Sequence, residues 1–160
     1  MTSDASERRT LRVVAISDTH GLHERIDVPP GDVLVHAGDV SRHGELDEVR
    51  AFDAWLASLP HPHKIVIAGN HDFAFERHPD AARACLKSCV YLRDEVTTVA
   101  GVRFWGSPWQ PWFYDFAFNL QRGAPLREKW ALIPDDTDVL VTHGPPKGHG
   151  GVTSGGLDAG

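Results

Sequence analysis

Four short apolar runs, each ending in a polar turn, constrain this chain more than any other feature of its sequence. Residues 11–16 (LRVVAI), 33–37 (VLVHA), 64–68 (KIVIA) and 138–142 (DVLVT) are rich in β-branched residues and read as buried strands. Between the second and third runs, residues 45–59 carry Leu46, Val49, Phe52, Leu56 and Leu59 at helical spacing, and Pro60 stops that helix. A second helix is expected to start at Pro79, a favourable first helical residue, and to run to about Ser88. Buried strands alternating with helices imply a largely parallel sheet in a layered α/β domain.

The middle of the chain changes character. Residues 95–99 and 102–105, joined by Ala100-Gly101, read as a β-hairpin. The passage SPWQPWFYDFAFNL follows, where prolines argue against a continuous helix or strand. It is expected to be an ordered loop that packs aromatics on the core rather than a platform for stacking bases. A short helix is expected over residues 125–132, and residues 148–160, with six glycines, read as a flexible tail.

Composition narrows the class. A length of 160 residues fits a single domain, and 41% hydrophobic with 24% charged residues is an ordinary globular balance. Sixteen basic against 22 acidic residues give a net charge of −6, a poor balance for clamping a nucleic-acid duplex. No apolar stretch approaches the roughly 20 residues that span a bilayer, and the opening MTSDASERRT has no signal-like apolar core. Cys85 and Cys89 are too few for a disulfide framework and read as reduced thiols of a cytoplasmic protein.

The chemistry lies just after the runs. The first leads into Ser17-Asp18-Thr19-His20-Gly21, the second into Gly38-Asp39, the third into Gly69-Asn70-His71-Asp72, and the fourth into His143-Gly144. In open α/β sheets ligands sit outside the carboxyl ends of the strands, so Asp18, His20, Asp39, Asn70, His71 and His143 are expected at one edge. Singly, each is more often a turn, a cap or a satisfied polar neighbour. Together, carboxylates and imidazoles without partnering Lys or Arg call for a cation. Mixed Asp, His and Asn ligands suit Mn²⁺, Fe, Zn²⁺ or Co²⁺. His61 and His63 precede the third run and are expected at the surface of the opposite edge, His36 in the core or directly behind the site residues, and His23, His43 and His78 in loops or helix starts, where nothing singles them out. No phosphate-binding G-x-x-x-x-G-K-[ST] loop, H-E-x-x-H or G-x-S-x-G motif occurs.

Asp18-Thr19-His20, Gly38-Asp39, Gly69-Asn70-His71-Asp72 and His143 resemble, in order, the first four blocks of the calcineurin-like metallophosphoesterase superfamily: D-x-H, G-D, G-N-H-[DE] and H. GSPWQPWFYDFAFNL and THGPPKGHG are similar to its metallophosphoesterase-domain branch, the brain-type, class III cyclic-nucleotide phosphodiesterase-like group. The text Gly38-Asp39-Val40-Ser41-Arg42-His43-Gly44 departs from the G-D-x-V-D-R-G of protein phosphatases. The resemblance implies a four-layer αββα sandwich and two divalent ions, Mn²⁺ first, with Fe, Zn²⁺, Co²⁺ and Mg²⁺ as alternatives. Asp39 would bridge them, Asp18 and His20 would hold one, Asn70 and His143 the other, and His71 would protonate the leaving oxygen. The implied substrate is a small phosphodiester.

The family's fifth block, G-H-x-H, is missing from the sequence. The expectation is therefore a single domain, truncated at its C-terminus relative to the family, with the last part of its second sheet missing. Two coordination positions would be vacant, His149 being the only later histidine, and self-association through the incomplete sheet is open to such a chain. Two functional readings follow: a metal-dependent phosphodiesterase, or a metal- or nucleotide-binding pseudoenzyme or fragment without turnover.

Overall fold

A computed structural model describes residues 10–159 of the chain. The polar opening at residues 1–9 and the final Gly160 lie outside the described residues. The first sheet is parallel, in the order β1 (Val13–Ile16), β2 (Val33–Ala37), β3 (His63–Ile67) and β4 (Val90–Tyr91). Three helices accompany it: α1 (Leu46–Ser58), α2 (Phe73–Arg77) and α3 (Pro79–Cys85). A second sheet follows in the order β5 (Glu95–Val99), β6 (Val102–Ser107) and β9 (Val139–Thr142). The short pair β7 (Gln110–Pro111) and β8 (Asn119–Leu120) brackets the aromatic loop, and α4 (Ala124–Trp130) precedes β9.

The strands of the first sheet are apolar on both faces because each face has its own core. Leu34 and Val66 face the helices, with Val49, Phe52 and Leu56 of α1 in the same cluster. Val33, Val35, Ile65 and Ile67 face the other way and pack with Phe104 and Val141 of the second sheet. Helix, sheet and sheet therefore stack in layers, and α4 stands across a cavity of about 520 Å³ from Leu140 and Thr142 of β9. This is the expected α/β sandwich. Helix α1 begins with a capping box in which Glu45 and Glu48 each accept from the other's backbone N–H. Glu48 also accepts from the Arg42 and His43 amides, tying the loop after β2 to the helix.

Several expectations need correction. The fourth apolar run does not join the first sheet; β9 pairs parallel with β6, and β4 takes the fourth place beside β3. An apolar run declares burial but not its neighbour, and Val141 finds its burial between the two sheets. The hairpin of β5 and β6 is antiparallel as expected, but β6 extends to Ser107. Helix α3 ends at Cys85, short of Ser88, so Cys85 and Cys89 are not one helical turn apart; both thiols are free. His61 is buried rather than at the surface, its Nε2 donating to the Pro29 carbonyl at 2.9 Å. His63, at the start of β3, is exposed. His23 is buried against Phe52 and Trp55, and burial lowers its pKa despite the charge of Glu24. Among the described residues of the glycine-rich stretch, Val152 and Asp158 form an isolated bridge and the Gly148 amide donates to Asp158. No helix among the described residues is long and apolar enough to cross a membrane.

Candidate metal centre

Parallel strands end at a common edge, and their loops continue the pairing beyond the sheet. The amides of Asp18, His20 and Gly21 donate to the carbonyls of Gly38, Asp39 and Val40, each at 3.0 Å. This ladder sets the loop after β1 against the loop after β2. It is made with Asp18, His20 and Asp39 at φ of 56°, 45° and 57°, a left-handed conformation uncommon for any residue with a side chain. Strain of this kind gathers where side chains are held for function. Asn70 and His71 arrive from the loop after β3, and His143 comes from the end of β9 in the other sheet.

Close approach at this junction depends on two glycines. A methyl group on Gly38, whose φ is +100°, would lie 2.7 Å from His143 Nδ1. A methyl on Gly69 would overlap Asp39 Oδ1 and stand 2.8 Å from His143 Cε1. The loops after β2 and β3 therefore meet His143 only because neither glycine has a side chain.

Asp72 locks the same loops together. It is fully buried and accepts four hydrogen bonds: from the amides of Val40 at 3.2 Å, Ser41 at 2.9 Å and Gly69 at 2.8 Å, and from the Ser41 hydroxyl at 2.6 Å. All four partners are donors, the set a carboxylate accepts. Burial pushes its pKa up, against the pull of the Ser41 and Gly69 bonds. Asp72 was not singled out as a site residue from the sequence; its place in the G-N-H-[DE] block was the available signal.

Three histidines share one device. His143 Nδ1 lies 2.8 Å from the Ala37 carbonyl, His20 Nδ1 lies 3.3 Å from the Ser41 carbonyl, and His71 Nδ1 lies 3.4 Å from the Arg42 carbonyl. A carbonyl only accepts, so each Nδ1 carries the proton and each Nε2 is left for another partner. His143 Nε2 stands 2.9 Å from Asn70 Oδ1 and 3.5 Å from Asp39 Oδ1. His20 Nε2 stands 3.6 Å from Asp39 Oδ2 and 3.9 Å from Asp18 Oδ1. Ligand atoms of Asp18, Asp39 and His143 lie within 4.8 Å of one another, as do those of His20, Asp39 and His71. Asp39, only 2% exposed, belongs to both groups.

The electrostatics of His143 show what such a cluster lacks. Burial alone would lower its pKa, but the hydrogen bond and charge of Asp39 outweigh burial and raise it to about 9. Burial pushes Asp39 up in turn, and the His143 bond and charge together with the His71 amide bring it below the usual carboxylate range. A proton on His143 Nε2 thus occupies the point on which the lone pairs of Asp39, Asn70 and His143 converge. A divalent ion fits the same donors, and this placement of imidazole Nδ1 on backbone carbonyls is the usual way a ligating ring is oriented.

Every residue selected from the sequence is brought to this edge: Asp18, His20, Asp39, Asn70, His71 and His143. His71 lies as close to His20 and Asp39 as a ligand would, its ring 4.7 Å from that of His20. His36, in the core as expected, has its Nε2 3.0 Å from the Thr19 hydroxyl. Burial, then the neighbouring His23, lower its pKa to about 3, so it supports the first loop as a neutral ring.

Hard oxygen and imidazole donors, gathered at strand ends where two sheets meet, define the class: an α/β sandwich carrying a candidate divalent-metal centre. Comparison makes it specific. A family model for calcineurin-like phosphoesterases matches residues 11–158. Metallophosphoesterase domain-containing protein 1 of Homo sapiens is 46% identical over 160 aligned residues, with 86% of this chain and 49% of that protein covered. A UPF0046 protein of Caenorhabditis elegans is 42% identical over 157 residues, with 88% of this chain and 56% of that protein covered. The chain belongs to the calcineurin-like phosphoesterase family, in the metallophosphoesterase domain-containing branch. It spans about half the length of these curated relatives.

Proposed function

We propose that the chain is a metal-dependent phosphodiesterase acting on small phosphodiesters, with Mn²⁺ as the preferred ion. The observation that carries this is the convergence of Nε2 of His20 and His143, Asn70 Oδ1 and the Asp39 carboxylate, with each ring pinned through Nδ1. Asp18 and His20 would hold one ion, Asn70 and His143 a second, and Asp39 both. Divalent ions bound there would polarise a phosphoryl oxygen and lower the pKa of an attacking water. The chain's own residues do the rest. Asp39 supplies the charge shared by the two halves of the centre, and the Nδ1 bonds to Ala37 and Ser41 hold His143 and His20 in the ligating tautomer. His71 donates through Nδ1 to the Arg42 carbonyl, which leaves Nε2 as the atom that would give a proton to a leaving oxygen.

The test is hydrolysis of bis(p-nitrophenyl) phosphate by the chain with added Mn²⁺ and then with EDTA. Turnover that appears with the metal and stops with the chelator is the expected result; none under either condition would leave a binding protein without catalysis. His71→Ala separates its two roles. As a proton donor, its loss should leave metal stoichiometry unchanged and slow poor leaving groups by about 10²–10⁴-fold, good ones far less. Loss of one bound ion in that variant would make His71 a ligand instead.

Metal affinity should depend on pH in a stated direction. Below about pH 9 the metal-free centre holds a proton on His143 that binding must expel. Affinity is therefore expected to rise by about tenfold per pH unit towards 9 and then level off, as read by calorimetric titration with Mn²⁺ over the accessible range. Without metal the sign reverses: the raised pKa of His143 stabilises the fold fully below its ordinary value of 6.5, and this is lost as pH rises through about 9.

A further inference from the structure

Beside His71 the aromatic loop does something that packing alone does not explain. Trp109, Ala117 and Phe118 turn into the core as the sequence suggested, but Trp112, Phe113 and Tyr114 are 52%, 60% and 66% exposed. Three large aromatics left to solvent in succession form an apolar patch of the kind that marks a binding surface. The patch leads to the metal centre. The Phe116 ring lies 4.9 Å from the His71 ring, and Phe113 lies parallel to Phe116, within 5°, at 6.2 Å. Tyr114 meets Phe113 edge-on at 4.5 Å.

The loop is held in this shape rather than resting in it. Asn119 accepts from the Phe113 amide and donates to the carbonyls of Phe113 and Tyr114, the shorter of these at 2.7 Å. Tyr114 and Phe118 are left-handed, at φ of 49° and 58°, a conformation strained for a bulky side chain. The loop is also tied to the site itself: the Ala117 amide donates to the Asn70 carbonyl at 3.0 Å, and the Phe118 amide to Glu76 at 2.7 Å. Strain and three bonds from one asparagine fix exposed rings at a set distance from the candidate proton donor. Strained residues persist where surrounding contacts over-determine them, so the rings are set in place ahead of any ligand.

We propose that Phe116 and Phe113 form a stacking subsite for a flat aromatic group carried on the substrate's leaving oxygen, making the site selective for phosphoesters with planar aromatic leaving groups. This rests on the role of His71 given above. A proton donor must stand at the leaving oxygen, so the ring packed on that donor stands beside whatever the oxygen carries. Aromatic faces take planar groups in offset stacks, a preference aliphatic groups of similar size do not share. Tyr114 closes the outer side of the platform against Phe113.

The test uses non-hydrolysable ligands, so that it does not depend on turnover. Phenylphosphonate, cyclohexylphosphonate and methylphosphonate are titrated calorimetrically into the Mn²⁺-loaded chain and into Phe116→Leu and Phe113→Ala. The expected result is phenylphosphonate bound about tenfold tighter than the other two, with that advantage lost in both variants and methylphosphonate unchanged. Phe113 is largely exposed, so its replacement tests the subsite without disturbing the core. Equal affinity for phenyl and cyclohexyl ligands, no binding of any of the three, or a phenyl preference that survives both substitutions would overturn the subsite. Hydrolysis of bis(p-nitrophenyl) phosphate, run in parallel, keeps the two proposals apart. Metal-dependent turnover without a phenyl preference removes the subsite alone, whereas a phenyl preference without turnover removes catalysis alone.

Discussion

Asp39→Asn is expected to lose metal loading and turnover together while leaving the fold in place. The side chain is nearly fully buried, takes part in both ligand groups, and accepts the His71 amide at 2.8 Å. Asparagine keeps its volume and tolerates the left-handed backbone that Asp39 adopts at φ 57°, so the loop should survive. What disappears is the negative charge shared by the two halves of the centre. If the Asp39 carboxylate, in the proposed role of shared ligand, supplies about 4 kcal/mol of the Lewis-acid stabilisation, turnover falls by about 10³-fold. A second readout needs no catalysis. The hydrogen bond and charge of Asp39 raise the His143 pKa to about 9 against burial, so in the metal-free variant His143 should titrate well below that value by NMR. A variant that binds its full complement of metal and turns over normally would remove Asp39 from the centre.

Asp72→Ala should damage stability and metal affinity at once, although Asp72 faces no ligand. Its removal leaves three buried amides without their acceptor and takes from the Ser41 hydroxyl the nearer of its two, the His71 carbonyl at 3.4 Å remaining. Orphaned buried donors cost about 1–3 kcal/mol each before relaxation, so a net loss of about 3–5 kcal/mol is expected. In a chain of this size that lowers Tm by about 10 °C. The loops carrying Asp39, Asn70 and His71 are the ones Asp72 joins, so Mn²⁺ affinity should fall about 10–100-fold, as removal of supporting groups does elsewhere. Ser41→Ala, which removes one donor of the four, should show a fraction of both effects. A Tm within a few degrees of the parent, with Mn²⁺ affinity unchanged, would show that the loops hold without the clamp.

The strands and α1 were legible because their signals are local. β-branched runs, a stretch of apolar residues at helical spacing and a stop at Pro60 each speak for their own segment. The site residues were legible for a related reason: in a parallel sheet, the residue after a strand is already at the ligand-binding edge. His61 was misjudged because it is buried with its partner, the distant Pro29 carbonyl, which no local pattern announces. The fourth run was placed in the wrong sheet for the same reason, since Val141 looks as apolar beside β6 as it would beside β1. The aromatic loop was read as core packing, which holds for Trp109 and Phe118 but not for Trp112, Phe113 and Tyr114.

Asp18, His20, Asp39, Asn70, His71 and His143, and the family to which their spacing belongs, follow from the sequence alone, because residue type and distance along the chain are what a motif consists of. Only the tertiary structure decided how these residues act together. It brought His143 from a second sheet into the gap left by Gly38 and Gly69, put Asp18, His20 and Asp39 in left-handed backbone, and joined two loops through Asp72. It also turned the Nδ1 of three rings onto carbonyls, and set Nε2 of His20 and His143 towards the Asp39 carboxylate. The physical reason is the range of the forces involved. Strand and helix signals act within a few residues, whereas close approach, hydrogen bonding and charge act across whatever folding brings within a few ångströms, here residues as far apart as Ala37 and His143.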